Sequence, residues 1–354
     1  ILSGKEFTAL IYPEKTEVDK RFFQNHLEGR MPAEIFDVHI HLNLPEHIPF
    51  ISQERIRSDW AFECGLFLTV EEAQERAKLL FGNTRYSMAG FPWPIREALL
   101  EENNRYLLAE KNKGNTFPFM GVKPDWSAEM VDMQLQNFCG LKPYPDFVAS
   151  CKGAQNSIFD FLPHAHLSVL NQQKKAVVLH LPRRDRLADH DNIRELLEMR
   201  QKYPDIVIII AHFGRSFCPV FLAEGLDRMG SDASGFYFDT AAVINPDVYR
   251  MAFERIDFHR ILFGTDAPIM YWHGKRIWTE REYFNLCRDD YSWNKHTEGR
   301  EAEMQYTFIL YEQLRSILDE MQLTGFSTTE KDAVFSNNAK ALLHFPGSEG
   351  FQRC

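Results

Sequence analysis

The chain has 354 residues and a formal net charge of −10, with 44% of positions hydrophobic and 25% charged, an ordinary globular composition. The acidic balance argues against a general binder of nucleic-acid backbone, which needs a basic face. Apolar runs such as 206–211 fall far short of the roughly 20 residues that span a bilayer, so neither nucleic acid nor membrane is an expected partner. Length leaves one large domain or two medium ones, because α/β barrels run well past about 150 residues as single units.

Residues 1–33 precede the first strand-like run and are expected to form an extension with a helix over 17–30. Residues 1–20 lack the uninterrupted apolar core of a secretory signal. The six cysteines form no CxxC pair and no regular spacing, which suggests neither a zinc knuckle nor a disulfide framework. They read as the reduced thiols of a cytoplasmic protein.

From there short apolar runs alternate with helical periodicity. The predicted strands are 35–39, 86–91, 117–123, 138–142, 176–180, 206–212, 236–240 and 261–266. Helices are predicted over 70–81, 94–113, 157–173, 189–203, 219–229 and 246–255, with Pro94 and Pro246 in first turns and Asp189 as a cap. Long loops are expected at 43–69 and 269–295, and closing helices at 297–321 and 328–344. Strand and helix repeated eight times is the order of a (β/α)8 TIM barrel. The expected organisation is an extension over 1–33, one barrel domain over 34–345 and a tail over 346–354.

Ionisable residues end predicted strands one, four, five, six and eight. Asp37-Val38-His39-Ile40-His41 opens the series, and strand alternation predicts that Asp37, His39 and His41 share a face. His180, His212 and Asp266 each follow an apolar run, and in a barrel such ends converge on one face. Five ligand-type side chains from four strands can therefore meet around one point. His164-Ala165-His166 has the same spacing but falls in a helical stretch, where residues two apart diverge. Arg183, Arg184 and Arg215 follow strands five and six. Arg215 suits a substrate carboxylate best and Arg184 reads as a solvated charge. Tyr271, Trp272 and Trp278 are candidates for a pocket wall. There is no GxGxxG after the first strand, no GxxxxGK[ST] and no GxSxG.

The ordered set DVHIH, GLKPYP, VVLHLP, IIIAHFGR, FDTAA, FGTDAP and SNNAKALL resembles the amidohydrolase superfamily, in particular its second family, from about Glu34 to about Leu343. The resemblance implies that His39, His41, His180 and Asp266 bind one divalent metal, zinc by ligand type with manganese or iron as alternatives. It further implies catalytic roles for Asp266, accepting a proton from water, and for His212, as acid/base or carbonyl-polarising group. Asp37 is read as orienting the site from behind the ligands. Lys142, which in a binuclear branch is carbamylated and bridges two metals, is read with Arg183 and Arg215 as binding an anionic small-molecule substrate. The implied activity is metal-dependent hydrolysis of an ester, lactone or amide. A carboxy-lyase of the same family is the alternative and a non-catalytic metal-binding barrel the third reading. A homodimer is the family-level expectation.

Overall fold

The computed structural model describes residues 2–3, 12–111, 115–148, 155–289 and 291–343. Cys151, Cys354, the expected tail and the end of the last predicted helix at residue 344 lie outside the described residues.

Eight strands follow in chain order: β1 (Glu34–His41), β2 (Arg85–Phe91), β3 (Met120–Gly121), β4 (Gly140–Lys142), β5 (Ala176–Leu179), β6 (Val207–Ile210), β7 (Tyr237–Asp239) and β8 (Ile261–Leu262). Strands β3 to β8 pair in sequence order and β1 pairs with β2, all in parallel. Two seams close the sheet. Met88 bridges Thr116, with Phe119 N donating to Gly90 O at 2.8 Å. On the other side Val38 N donates to Phe263 O at 2.9 Å, and Asp266 N to His39 O at 2.8 Å. The fold is thus the expected (β/α)8 barrel.

These strands read as unbroken apolar runs because parallel strands are buried on both faces. Along β5, Val178 joins Phe36, Val38, Phe91, Phe119, Ile209 and Leu262 in the barrel interior, while Val177 and Leu179 join the outer layer under the helices.

Local chemistry sets several helix ends where the sequence puts them. Thr69 and Glu72 cap Val70–Phe81 reciprocally, Asp189 accepts from Asp191 N and Asn192 N ahead of His190–Lys202, and Pro246 opens Pro246–Arg255. Other predictions need correction. Pro94 opens no helix, which instead begins at Leu100; two prolines in Phe91-Pro92-Trp93-Pro94 bias the preceding residues towards extended backbone. Pro163 divides the 157–173 prediction into Ile158–Phe161 and His164–Gln173 for the same reason. The helix over 17–30 is Glu17–Phe22 continued by a wider π turn, Phe23–Leu27. The closing segments are Arg300–Glu303 and Ile309–Leu323, then Thr328–Asp332, a π turn Ala333–Asn337 and Asn338–Leu342.

The two long loops form a roof over the C-terminal mouth of the barrel. The first carries Trp60–Cys64 and the last an antiparallel hairpin, β9 (Gly274–Trp278) with β10 (Tyr283–Cys287). Trp60 meets Trp272 and Trp293 edge-on at 6.4 and 5.9 Å between ring centroids, and Ser292 N donates to Glu63. Buried Asp19 ties the N-terminal helix beneath this roof, accepting from Thr16, His273 Nε2, Thr307 Oγ1 and Phe308 N. Cys64, Cys139, Cys218 and Cys287 are free thiols. Among the described residues no helix is long and apolar enough to cross a membrane.

Candidate metal centre

The ends of β1, β4, β5, β6 and β8 open on one cavity of about 240 Å³, lined by His39, His41, Lys142, His180, His212, Arg215 and Asp266 among others. Within it the ligand atoms of His39, His212 and Asp266 all lie within 4.8 Å of one another, and all three residues are buried. His41 belongs to the same group: its Nε2 is 3.3 Å from Asp266 Oδ1, and His39 Nε2 is 3.4 Å from that oxygen. His180 lines the cavity outside this compact trio, its ring centroid 5.3 Å from that of His212. The sequence reading had placed His180 among the ligands and His212 beside them, so the geometry draws His212 closer in than expected.

The donor set fits a divalent cation. Burial holds the pKa values of His39, His41 and His180 down and lowers that of His212 to about 4, so the rings are neutral, the form that binds metal. Burial opposes charge on Asp266, yet its carboxyl is held below the usual range, with a hydrogen bond from His41 among the causes. Two rings are also fixed from behind. His39 Nδ1 lies 2.8 Å from Asp239 Oδ2 and His212 Nδ1 2.8 Å from Ala241 O, both pure acceptors, so each Nδ1 carries the proton. Each Nε2 therefore faces the cavity as a lone pair.

His212 opens an unusual turn. His212, Phe213, Gly214 and Arg215 have φ of +58, +47, +69 and +64°, all left-handed. Asp239 Oδ1 secures the turn by accepting from His212 N at 2.7 Å and from Ala241 N at 3.1 Å. The turn carries Arg215 back to the cavity wall, where its Nη1 donates to the carbonyls of Leu181, Pro182 and Arg183. Gly264 sits behind β1 because a Cβ there would lie 2.9 Å from His39 Cβ and 3.3 Å from Ala241 Cβ.

Other expectations are corrected. Arg183 does not line the cavity; it forms two hydrogen bonds to Glu195, at 2.7 and 3.0 Å, and another to Asn192, which engage both of its Nη atoms. Asp37 does not share a face with the two histidines. The β1–β2 register shifts between Asp37 and Ile40, and Phe36 and Val38 both pack inside, which turns Asp37 outward. It holds backbone and hydroxyls instead, accepting from His39 N, Thr265 N, Thr265 Oγ1 and Tyr86 OH. Tyr271, Trp272 and Trp278 do not line the cavity; Trp60, Phe62, Trp93, Phe217 and Tyr283 do. Lys142 is buried with Nζ 3.5 Å from His39 Nε2, and burial lowers its pKa to about 8.

Sequence reasoning missed Asp239. Its signal was the one used for the other strands, an ionisable residue at the end of an apolar run, here Phe238-Asp239-Thr240. It also missed the mouth residues Arg55 and Asp146, an ion pair at 2.6 Å between loops far apart in sequence.

A family model described as amidohydrolase matches residues 103–345. The match begins after β2, so His39 and His41 lie outside it. Solved structures share the architecture at low identity. A 2,6-dihydroxybenzoate decarboxylase from Rhizobium is 15% identical with a TM-score of 0.54, covering 89% of this chain and 99% of that one. A dihydroxybenzoic acid decarboxylase from Polaromonas sp. JS666, with bound manganese and 2-nitroresorcinol, gives 14% and 0.52 over 90% and 99%. A protein described as a probable 2-pyrone-4,6-dicarboxylic acid hydrolase from Acinetobacter baumannii, with bound citric acid, gives 14% and 0.52 over 88% and 100%. No curated protein matches.

Proposed function

This chain belongs to the amidohydrolase family, and on that premise we propose that it is a metal-dependent hydrolase of a small carboxylate-bearing ester, lactone or amide. The observation that carries the reading is the convergence of His39, His41, His180, His212 and Asp266 on one cavity, with the ligand atoms of His39, His212 and Asp266 the most tightly grouped. In this proposal His39, His41, His180 and Asp266 hold a single divalent ion, with zinc suited to the three nitrogens and one carboxylate and manganese or iron as alternatives. Such an ion acts as a Lewis acid towards a carbonyl and makes water a nucleophile near neutral pH.

The protein groups then have separable tasks. His212 rests with its proton on Nδ1, so its Nε2 can only accept at first; it takes a proton from water and returns it to the leaving group. Asp266 stays ionised as a ligand. Lys142 and Arg215 supply positive charge for the substrate carboxylate. A cavity of about 240 Å³ lies below the usual range for drug-sized ligands, which fits a substrate of about one ring.

A carboxy-lyase is the second reading, favoured by the aromatic wall of Phe62, Trp93, Phe217 and Tyr283, which suits an unsaturated or aromatic acid. The test is a panel of small lactones, esters, amides and aromatic acids assayed for 18O uptake from water and for CO2 release. Hydrolysis predicts label in the product without CO2; CO2 release without label would replace it with the second reading. In parallel, His180→Ala should lose metal, whereas His212→Ala should keep metal and lose turnover. The reverse pattern would exchange the two roles.

A further inference from the structure

Asp239 touches both sides of the candidate centre without lining the cavity. It is fully buried at the end of β7, and its two oxygens do different work. Oδ1 accepts from His212 N and Ala241 N, which are backbone donors that cannot reverse. Oδ2 faces His39 Nδ1 at 2.8 Å. A carboxylate only accepts, so His39 must put its proton on Nδ1 and leave Nε2 bare.

From this we infer that Asp239 is a positioning residue that sets the tautomer of His39 and thereby makes its Nε2 available to a metal ion. The inference rests on the proposed metal centre but has a readout in the metal-free protein. Replacing Asp239 by Asn keeps the shape and reverses one polarity. Two backbone donors require the amide oxygen at the Oδ1 position, so the amide NH2 must occupy the Oδ2 position and donate to His39 Nδ1. The ring then moves its proton to Nε2, which points an N–H at Asp266 Oδ1 and removes the lone pair a cation needs. His212 is untouched by this exchange because its Nδ1 donates to Ala241 O.

The experiment is long-range 1H–15N correlation NMR of histidine-labelled, metal-free protein, combined with titration of zinc alone. In the wild type both His39 and His212 should show protonated Nδ1 and bare Nε2. In Asp239→Asn, His39 should switch to protonated Nε2 while His212 stays as it was, and zinc affinity should fall about 10–100-fold. Asp239→Glu, which still only accepts, should leave the proton on Nδ1 of His39. Three results would overturn the inference: wild-type His39 already protonated on Nε2, an unchanged His39 in Asp239→Asn, or a switched His39 with unchanged zinc affinity. The first is measured on the wild type, so the test stands even if the variants fold poorly. If the hydrolase reading fails, the NMR result still decides the tautomer.

Discussion

Asp19 offers a quantitative test of how the N-terminal helix is held. Its carboxylate is fully buried and accepts from Thr16 N at 2.7 Å, Thr16 Oγ1 at 2.6 Å, His273 Nε2 at 2.9 Å, Thr307 Oγ1 at 2.8 Å and Phe308 N at 2.9 Å. Burial raises its pKa, but the bonds from His273 and Thr16 outweigh that and bring it from 3.8 to about 2. At about 1.36 kcal/mol per pKa unit the fall is worth about 2.4 kcal/mol. A carboxyl whose pKa is depressed on folding contributes stability that is fully present above 3.8 and is lost as pH falls through about 2. By pH 3 about 1 kcal/mol of it should be gone. Asp19→Asn leaves a neutral amide whose NH2 must face donors, so it should cost about 3 kcal/mol at pH 7. The gap between variant and wild type should shrink to about 2 kcal/mol at pH 3. Urea unfolding followed by tryptophan fluorescence at both pH values measures this gap, and the comparison cancels acid effects common to both proteins. A gap of equal size at the two pH values, or one below about 1 kcal/mol at pH 7, would refute the reasoning.

Four further outcomes are expected. Arg215→Met should raise KM for a carboxylate substrate about 10-fold or more, and should cost about 1 kcal/mol of stability because the carbonyls of Leu181, Pro182 and Arg183 lose their shared donor. Arg183→Met should leave KM alone and lower stability by about 2 kcal/mol, since buried Glu195 loses its guanidinium partner but keeps Ser157 Oγ and Ile158 N as donors, as steady-state kinetics with thermal melts can check. Chelation should abolish turnover and lower the melting temperature, since an ion at 100 times its Kd adds about 2.7 kcal/mol, and re-addition of a divalent ion should restore both. Gly264→Ala should displace His39 and reduce metal content measurably, because the new methyl would stand 2.9 Å from His39 Cβ; full metal loading in that variant would contradict the packing described.

The barrel was legible because its signals are local. Val177-Val178-Leu179 is apolar on both faces of a parallel strand, and Thr69 with Glu72 marks a helix start within four residues. The convergence of His39, His41, His180, His212 and Asp266 on one cavity followed from the same strand rhythm. What escaped depends on departures from regularity or on partners remote in sequence. Strict alternation put Asp37 beside His39, and a one-strand irregularity in β1 turned it away. Arg183 looked free until Glu195, twelve residues on and across a helix start, was brought against it. The left-handed turn from His212 to Arg215 has one glycine in four residues, so composition gave no hint of it.

The seam between β1 and β8 bears on when the centre can exist as the chain is made. Asp266 N donates directly to His39 O, so two proposed ligands separated by 227 positions are joined by the same backbone bond that closes the barrel. Nascent chains emerge from the N-terminus, and pairings between distant segments form late. His39 and His41 would therefore be synthesised long before Asp266, and a chain halted before β8 would hold the histidines and Asp239 but neither Asp266 nor a closed ring. In the proposed centre, metal capture would thereby be tied to completion of the barrel.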